Sequence, residues 1–434
     1  MHVSVENTGA LERRITVEVP AARIDQEVKS RLKSLASRAR FDGFRPGKAP
    51  FAVVERRFGG KVREEVLGDL IHQTFQEAVA SQKLRPAGGT KIEGINEQLE
   101  KGLSYTATFE VYPEITLAPL ENIKVEKPTA DITEQDVDAM LETLRKQRPN
   151  WTVAERGAQT GDQLQVEFSM RIEGSEHPPG PAQQTSLMLG AGTVEKTIEE
   201  RLIGAKAGEE VVIEQQLPAD FRDAALAGKP VYYTFKIIAV YDPQLPAVDE
   251  DFARALGVAS GSLDELRSEV RANMQRELQQ AINARVKQQV LDALLAANVL
   301  EIPKALVDKE ISTLVQRDNP RAGQEVSAAQ SARYEPAARR RVTLGLLLAE
   351  VIKSAALKVD AARVRALVET TASAYEDPAE VIKWYYNSKE RLAQVESLAL
   401  EEQAVEWILE RAQVSTVAST FNALMNPQPA ADPA

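Results

Sequence analysis

The chain contains no cysteine, and aromatic residues make up only 5% of its 434 positions. The first absence excludes disulfides and thiolate metal sites and suits a reducing compartment. The second means that cores must be built from leucine, valine, isoleucine and alanine. Long apolar runs are missing as well. The longest, Leu344 to Ala349, falls far short of the roughly 20 residues that a bilayer-spanning helix needs. The opening residues Met-His-Val-Ser-Val-Glu-Asn show neither a basic stretch nor an apolar one, so no signal peptide is expected. The expectation is a soluble, cytoplasmic protein. The remaining composition, 27% charged and 43% hydrophobic, is ordinary for globular domains. The length allows about two to four of them.

One segment opposes the overall charge. The chain carries a formal net charge of −11, yet between Glu27 and Arg63 eleven lysines and arginines stand against three carboxylates, a local charge of +8. At its centre lies Phe41-Asp-Gly-Phe-Arg-Pro-Gly-Lys-Ala-Pro50, between two helical patterns. The first carries Ile24, Val28, Leu32 and Leu35 on one face, and the second begins at Phe51. Gly43 and Gly47 permit backbone angles closed to other residues, while Pro46 and Pro50 fix φ and remove donors. Such a loop is stiff and holds Phe44, Arg45 and Lys48 outward. A solvated helix pair accounts for the charge alone. A phenylalanine beside the cations favours a partner, and the charge favours a polyanionic one.

The run Gly43-Phe44-Arg45-Pro46-Gly47-Lys48-Ala49-Pro50 resembles the ribosome-docking loop of the bacterial trigger factor family, whose pattern is Gly-Phe-Arg-x-Gly-Lys-x-Pro. The resemblance implies that Phe44, Arg45 and Lys48 contact the rim of the ribosomal exit tunnel, protein and RNA together. It also implies a multidomain α+β architecture: an N-terminal α+β docking domain, an FKBP-like β-rich middle domain, and an extended all-α C-terminal body with arms.

The residues support that division. Residues 1–112 read as α+β, with Ile15, Val17 and Val19 alternating on one strand. A third helix carries Val62, Val66, Leu70, Phe75 and Val79, and strands near Lys91–Gly94 and Leu103–Tyr112 close the domain. His72 on that helix has no second histidine or cysteine nearby and reads as structural or solvated. Residues 113–149 form an extended connector and a helix opened by the capping pattern Thr133-Glu-Gln-Asp136. Val137, Met140, Leu141 and Leu144 form its apolar stripe.

Residues 150–246 change character, with strands at Leu164–Ile172, Val211–Leu217 and Tyr232–Val240. Gly190-Ala-Gly192 is too incomplete for a phosphate loop and reads as a turn. The order of strand, glycine turn, short helix, Gly204-Ala-Lys-Ala-Gly-Glu-Glu210 and strand resembles an FKBP-type prolyl isomerase domain. That fold takes a proline into an aromatic-lined cleft and favours the twisted amide, with no acid, base or nucleophile strictly required. By the resemblance Phe168, Phe221 and Phe235 line the cleft, and Ile198 stands at its floor. The family's floor sequence is Ile-Pro-Gly followed by Trp or Phe, whereas this chain reads Glu195-Lys196-Thr197-Ile198, and His177 replaces a wall phenylalanine. The expectation is a retained fold with weak or absent activity. The alternative is a domain that only widens the client-binding surface.

Residues 247–434 are almost wholly helical. Leu266, Val270, Met274, Leu278, Ile282, Val286, Val290 and Leu294 recur at every fourth position of one long helix, a stripe that no single straight partner can cover. Further stripes lie at Leu306–Val315, Val342–Ile352 and Val364–Thr371, and a last one runs from Leu392 to Val414. The end from Asn426 is Pro/Ala-rich and is expected to be disordered. Beside the break at Tyr375, the residues Val381, Trp384, Tyr385 and Tyr386 form the densest aromatic cluster. Core packing between two helices explains it. So does an adhesive client-binding surface with Tyr375, Val381 and Trp384 at its centre, as the resemblance implies for an arm tip.

Together these observations point to an ATP-independent, ribosome-associated chaperone for nascent and unfolded polypeptides, with no cofactor, no metal and no membrane partner. The same features allow a homodimer off the ribosome. A stand-alone prolyl isomerase and a free holding chaperone are the rival readings.

Overall fold

A computed structural model describes residues 1–38, 50–98, 102–172, 175–176, 182–216, 230–319, 326–375 and 377–426. The docking loop, with Phe44, Arg45 and Lys48, lies outside the described residues, as do Phe221, His177 and the Pro/Ala-rich end beyond Asn426. The chain divides into two compact units. One is Met1–Lys127 with Asn283–Val417, and the other is built on Pro128–Ile282.

The chain opens with strand β1 (His2–Asn7), strand β2 (Glu12–Val19), helix α1 (Ala21–Arg38), helix α2 (Phe51–Ser81), strand β3 (Lys91–Gln98) and strand β4 (Gly102–Glu110). The four strands form an antiparallel sheet in the order β1-β2-β4-β3. Ile15, Val17 and Val19 are all buried, as their alternation predicts, against Tyr105, Ala107, Ile24 and Leu32. The edge strand β1, with Val3 and Val5 packed on this core, was not anticipated from its short polar-apolar alternation.

The sequence predicts separate helices after the loop, but a single helix of 31 residues runs through Gly59-Gly60. Each glycine costs about 1 kcal/mol of helix propensity. Val54, Val62, Val66 and Leu70, spaced at multiples of four, bury one continuous face on the sheet and override that cost. The Tyr105 hydroxyl donates to the Ile71 carbonyl at 3.1 Å and shares a 2.9 Å hydrogen bond with Thr74, pinning α2 onto β4. Burial pushes the Tyr105 phenol above its ordinary pKa. His72 is exposed, in line with the solvated reading.

Gly102 closes this sheet against the β2–α1 corner. Its φ is +106°, and a Cβ there would fall 2.0 Å from the Val19 carbonyl oxygen and 2.7 Å from the Ala21 nitrogen. Only glycine fits such a backbone contact.

Strand β5 (Lys124–Thr129) precedes helix α3 (Glu134–Gln147), whose predicted start carries a complete capping box between Thr133 and Asp136. Val137 and Leu141 are buried, and Met140 and Leu144 are half-buried. The β-rich segment follows: β6 (Asn150–Val153), β7 (Gln163–Ile172), β8 (Ser175–Glu176), β9 (Gln183–Met188), helix α4 (Lys196–Leu202), β10 (Glu210–Gln216) and β11 (Pro230–Gln244). Its sheet runs β10-β11-β7-β8, with β6 paired to β11 and β9 to β7. Leu164, Val166, Leu189, Leu202, Phe235 and Ile237 fill its core. Gly190 and Gly192 have φ of +86° and +67°, the turn expected of them.

Arg156 fastens the open end of this sheet, bonding both oxygens of the buried Asp162 at 2.5 and 3.0 Å and Asp242 at 2.6 Å. Burial works against the Asp162 charge. The Arg156 bonds and the Gln159 N–H outweigh it and hold the carboxyl below its ordinary range.

The helical part comprises α5 (Glu250–Ala255), α6 (Leu263–Ala297), α7 (Lys304–Asp318), α8 (Ala328–Ser354), α9 (Ala361–Ala372), α10 (Pro378–Tyr386) and α11 (Lys389–Leu409), then strand β12 (Gln413–Ala418) and helix α12 (Phe421–Met425). All eight stripe positions of α6 are buried. Its turns meet different partners, as a winding stripe requires. Arg267 and Arg271 pair with Glu134 of α3, Lys287 with Glu401 of α11, and Asp292 with Arg340 of α8. Helix α11 ends at Leu409, short of the predicted Val414. The β-branched run Gln-Val-Ser-Thr-Val-Ala instead pairs with β5, and the Gln413 N–H donates to the Ile123 carbonyl at 2.8 Å. The Glu110 carboxylate at the end of β4 accepts from the Lys304 and Ala305 N–H groups at 3.0 and 2.8 Å. This places an anion at the N-terminus of α7, where the helix dipole favours it.

Candidate functional site

Three places carry candidate functional residues. The first is the basic segment. Phe44, Arg45 and Lys48 lie outside the described residues, but the helices that flank them are described. Arg63 bonds Asp25 and Glu97, and Arg31 bonds Asp69, so part of the positive charge is spent inside the domain. Lys29, Lys33, Arg56 and Lys61 are exposed and form no ion pair among the described residues. The surplus charge beside the loop is therefore at the surface.

The second place is α10. Asp377 caps it through the Glu380 N–H at 3.1 Å, Pro378 stands in its first turn, and none of its residues is buried. Core packing required a buried stripe, and α10 lacks one. Tyr375 is 59% exposed, Trp384 55% and Tyr386 47%. Tyr375, Val381, Trp384 and Tyr385 line an open cavity of about 560 Å³, so the three predicted client-binding residues come together. Trp384 and Tyr385 meet edge to face at 5.1 Å, and the Arg391 guanidinium lies 3.8 Å from the Trp384 ring centre. That cation–π contact orients the indole while its other surfaces stay open to solvent. The result is an exposed aromatic ledge in a chain with few rings.

The third is a cavity of about 450 Å³ in the β-rich unit. Strand pairing sets Phe168 of β7 opposite Phe235 of β11, with ring centres 5.2 Å apart. Tyr233, two residues before Phe235 and so on the same face, stacks on Phe168 at 6.1 Å. Ile198 of α4 and Glu195 just before it also line the cavity. Phe168, Phe235 and Ile198 are thus brought together as predicted, and Glu195 stands at the cavity wall where an apolar residue was expected in the family.

Sequence reasoning missed Tyr233, Gln183 and Gln215, which line the same space. The strand parity of β11 held the signal for Tyr233. Gln183 and Gln215 come from β9 and β10, whose closure over the cavity needs the pairing of distant strands. Gln215 Nε2 donates to the Glu195 carboxylate, which leaves Gln215 Oε1 buried with no hydrogen-bond partner. Burial raises the Tyr233 pKa, and the nearby Glu195 charge raises it further. Among the described residues no acidic or histidine cluster has metal-ligand geometry, and no helix is long and apolar enough to cross a membrane.

The chain is similar to known proteins. The family described as bacterial trigger factor protein (TF) matches residues 1–144, and the one described as its C-terminus matches residues 262–410. Residues 145–261, which hold the β-rich cavity, lie between the two matches. The trigger factor of Pseudomonas savastanoi pv. phaseolicola (strain 1448A / Race 6) is 44% identical over 429 residues, covering 98% of each chain. That of Stutzerimonas stutzeri (strain A1501) is equally similar over the same share. A solved structure from work on "Promiscuous Substrate Recognition in Folding and Assembly Activities of the Trigger Factor Chaperone" covers 94% of this chain and 99% of its own, with a TM-score of 0.51. At 16% identity it supports the fold alone.

Proposed function

The chain belongs to the trigger factor family, and from that premise we propose that it is an ATP-independent chaperone which docks on the ribosome and holds nascent chains at the tunnel exit. The observation that carries this reading is the complete Gly43–Pro50 motif, set in a segment of charge +8 within an otherwise acidic chain. Docking through Phe44, Arg45 and Lys48 places the client surfaces where emerging chains are locally concentrated, so weak individual contacts suffice. Release then follows from weak affinity and from folding of the client. The division of labour is docking by residues 1–112, connection by 113–149, prolyl isomerisation by 150–246 and client holding by 247–434, in the cytoplasm. Co-sedimentation with bacterial ribosomes at low and high salt tests it. Salt-sensitive pelleting supports the reading, and failure to pellet at either salt leaves only a free holding chaperone.

The α10 ledge supports the holding role. Solvent-exposed rings bind many unfolded sequences weakly. Trp384→Ala combined with Tyr375→Ala is expected to weaken suppression of aggregation of a denatured client about threefold to tenfold, as hot-spot aromatics do. Circular dichroism should not change, because neither ring is buried. Undiminished suppression by the double variant would remove the ledge from the client surface.

The β-rich cavity supports isomerase chemistry of reduced strength. Phe168, Phe235 and Tyr233 supply an apolar wall against which a proline ring can pack and its amide lose water. The family's floor aromatic would bury about 150–250 Å², more than Ile198 offers. Turnover on a Phe-Pro peptide is expected at least about tenfold below a typical family member, equivalent to about 1.4 kcal/mol of lost transition-state binding. Exchange spectroscopy on the peptide measures it, and a rate equal to that of a typical member would refute the expectation.

A further inference from the structure

The α10 ledge adjoins a cation that nothing in the described chain answers. Arg391, in the first turn of α11, stacks its guanidinium 3.8 Å from the centre of the Trp384 ring. Its Nη1 is closed off from solvent and has no hydrogen-bond partner, and among the described residues its side chain forms no ion pair. The other arginine–tryptophan stack among the described residues is satisfied. There Arg411 lies 3.9 Å from the Trp407 ring centre, while its Nη1 donates to the Trp407 carbonyl at 2.8 Å and meets Glu410 at 3.3 Å. Arg271 also has a buried donor without a partner, but its guanidinium is paired with Glu134. Buried polar groups are ordinarily hydrogen-bonded, and a guanidinium donates without accepting, so the missing partner is an acceptor. Glu380 lines the neighbouring cavity and does not supply it.

We infer that Arg391 is a main-chain anchor: it donates to a backbone carbonyl of an unfolded segment whose apolar side chains lie on Tyr375, Val381 and Trp384. This rests on the reading of the ledge as a client surface. Trp384 is 55% exposed on a helix without a buried residue, so its indole has room to turn from the guanidinium onto the client and uncover Nη1. Every residue of an unfolded chain offers a carbonyl, whereas a folded chain has paired its own within helices and sheets. An anchor of this kind selects unfolded chain over folded surface without reading its sequence.

The test uses the full chain and the unlabelled peptide acetyl-Ala-Phe-Leu-Lys-Ala-Leu-Phe-Ala-amide, whose only acceptors are amide carbonyls, read by titration calorimetry. N-phenyl-1-naphthylamine, a neutral aromatic probe without a carbonyl, is titrated beside it and read by its own fluorescence. Arg391→Met keeps an apolar contact with Trp384. It is expected to weaken peptide binding about fivefold to twentyfold and to leave the naphthylamine within about twofold. The Arg391 side chain gives up no hydrogen bond within the chain, so circular dichroism should not change. Added to Trp384→Ala with Tyr375→Ala, Arg391→Met should have no further effect, which separates the ledge from other peptide sites. Unchanged peptide affinity in Arg391→Met, an equal loss for peptide and probe, or a loss that persists without the rings overturns this inference. The ledge reading survives any of these results if the double ring variant by itself weakens peptide binding. If that variant binds the peptide as wild type does, both fail.

Discussion

Replacing Phe44, Arg45 and Lys48 together by alanine is expected to weaken ribosome binding by about a hundredfold or more. Burying a phenylalanine contributes about 1.5–3 kcal/mol, which alone is a factor of ten to a hundred. The two cations each release counterions when they meet phosphate, so their loss also lowers the salt dependence by about two contacts. Wild type should pellet with bacterial ribosomes at low salt and less at high salt. The triple variant should remain in the supernatant at both. Lys29, Lys33, Arg56 and Lys61 stay in the variant, so residual weak binding that salt removes completely would come from them. Equal pelleting of the two proteins would place the contact elsewhere. Neither outcome depends on folding, because a ten-residue segment rich in glycine and proline contributes no helix or strand pattern of its own.

Gly102→Ala should be the most damaging conservative substitution in the N-terminal sheet. The alanine would have to adopt φ of +106° and set its Cβ against the backbone of Val19, Pro20 and Ala21, none of which is a flexible side chain. The β2–α1 corner must move away from β4, and with it the burial of Val19 and Leu103, which pair across these strands. A destabilisation of about 3 kcal/mol or more follows from strain and lost packing combined. In a protein of several parts a single melting temperature mixes their contributions, so amide exchange in β2 and β4 is the appropriate measurement. Gly68→Ala provides the contrast. It lies in α2 with open space around it, and alanine there should stabilise the helix by about 0.5–1 kcal/mol. Unaltered exchange in Gly102→Ala would show that the corner yields without cost.

Much of the fold was readable from local pattern. Alternation located β2, β7 and β11, the period-four stripe located α6 with every one of its apolar positions buried, and Thr133 with Asp136 marked the start of α3. The failures share a cause. The helix beginning at Phe51 and the one carrying Val62 to Val79 were read as separate, and Val414 looked like the end of a helical stripe. In each case long-range packing outweighed local propensity: a continuous buried face carried α2 through, and pairing with β5 drew Gln413–Ala418 into a strand. At the cavity, Phe168, Phe235 and Ile198 were legible because resemblance supplied their roles. Tyr233 and Gln215 were not, because they reach the same space through strand parity and through the pairing of β10 with β11.

The sequence by itself determined the docking motif and its surrounding charge, since eight ordered residues and an excess of cations are properties of the chain before it folds. It also determined which faces of most helices and strands would be buried, because hydrophobic periodicity is local. Only the tertiary structure decided that Trp384 stays exposed on a helix with no buried face, with Tyr375 exposed shortly before it, where the sequence left core packing and an adhesive surface as rival readings. It alone joined Glu195 to Gln215 across residues 20 apart and set both against three aromatic rings. Exposure and juxtaposition depend on what the rest of the chain brings near, and no window of sequence contains that information.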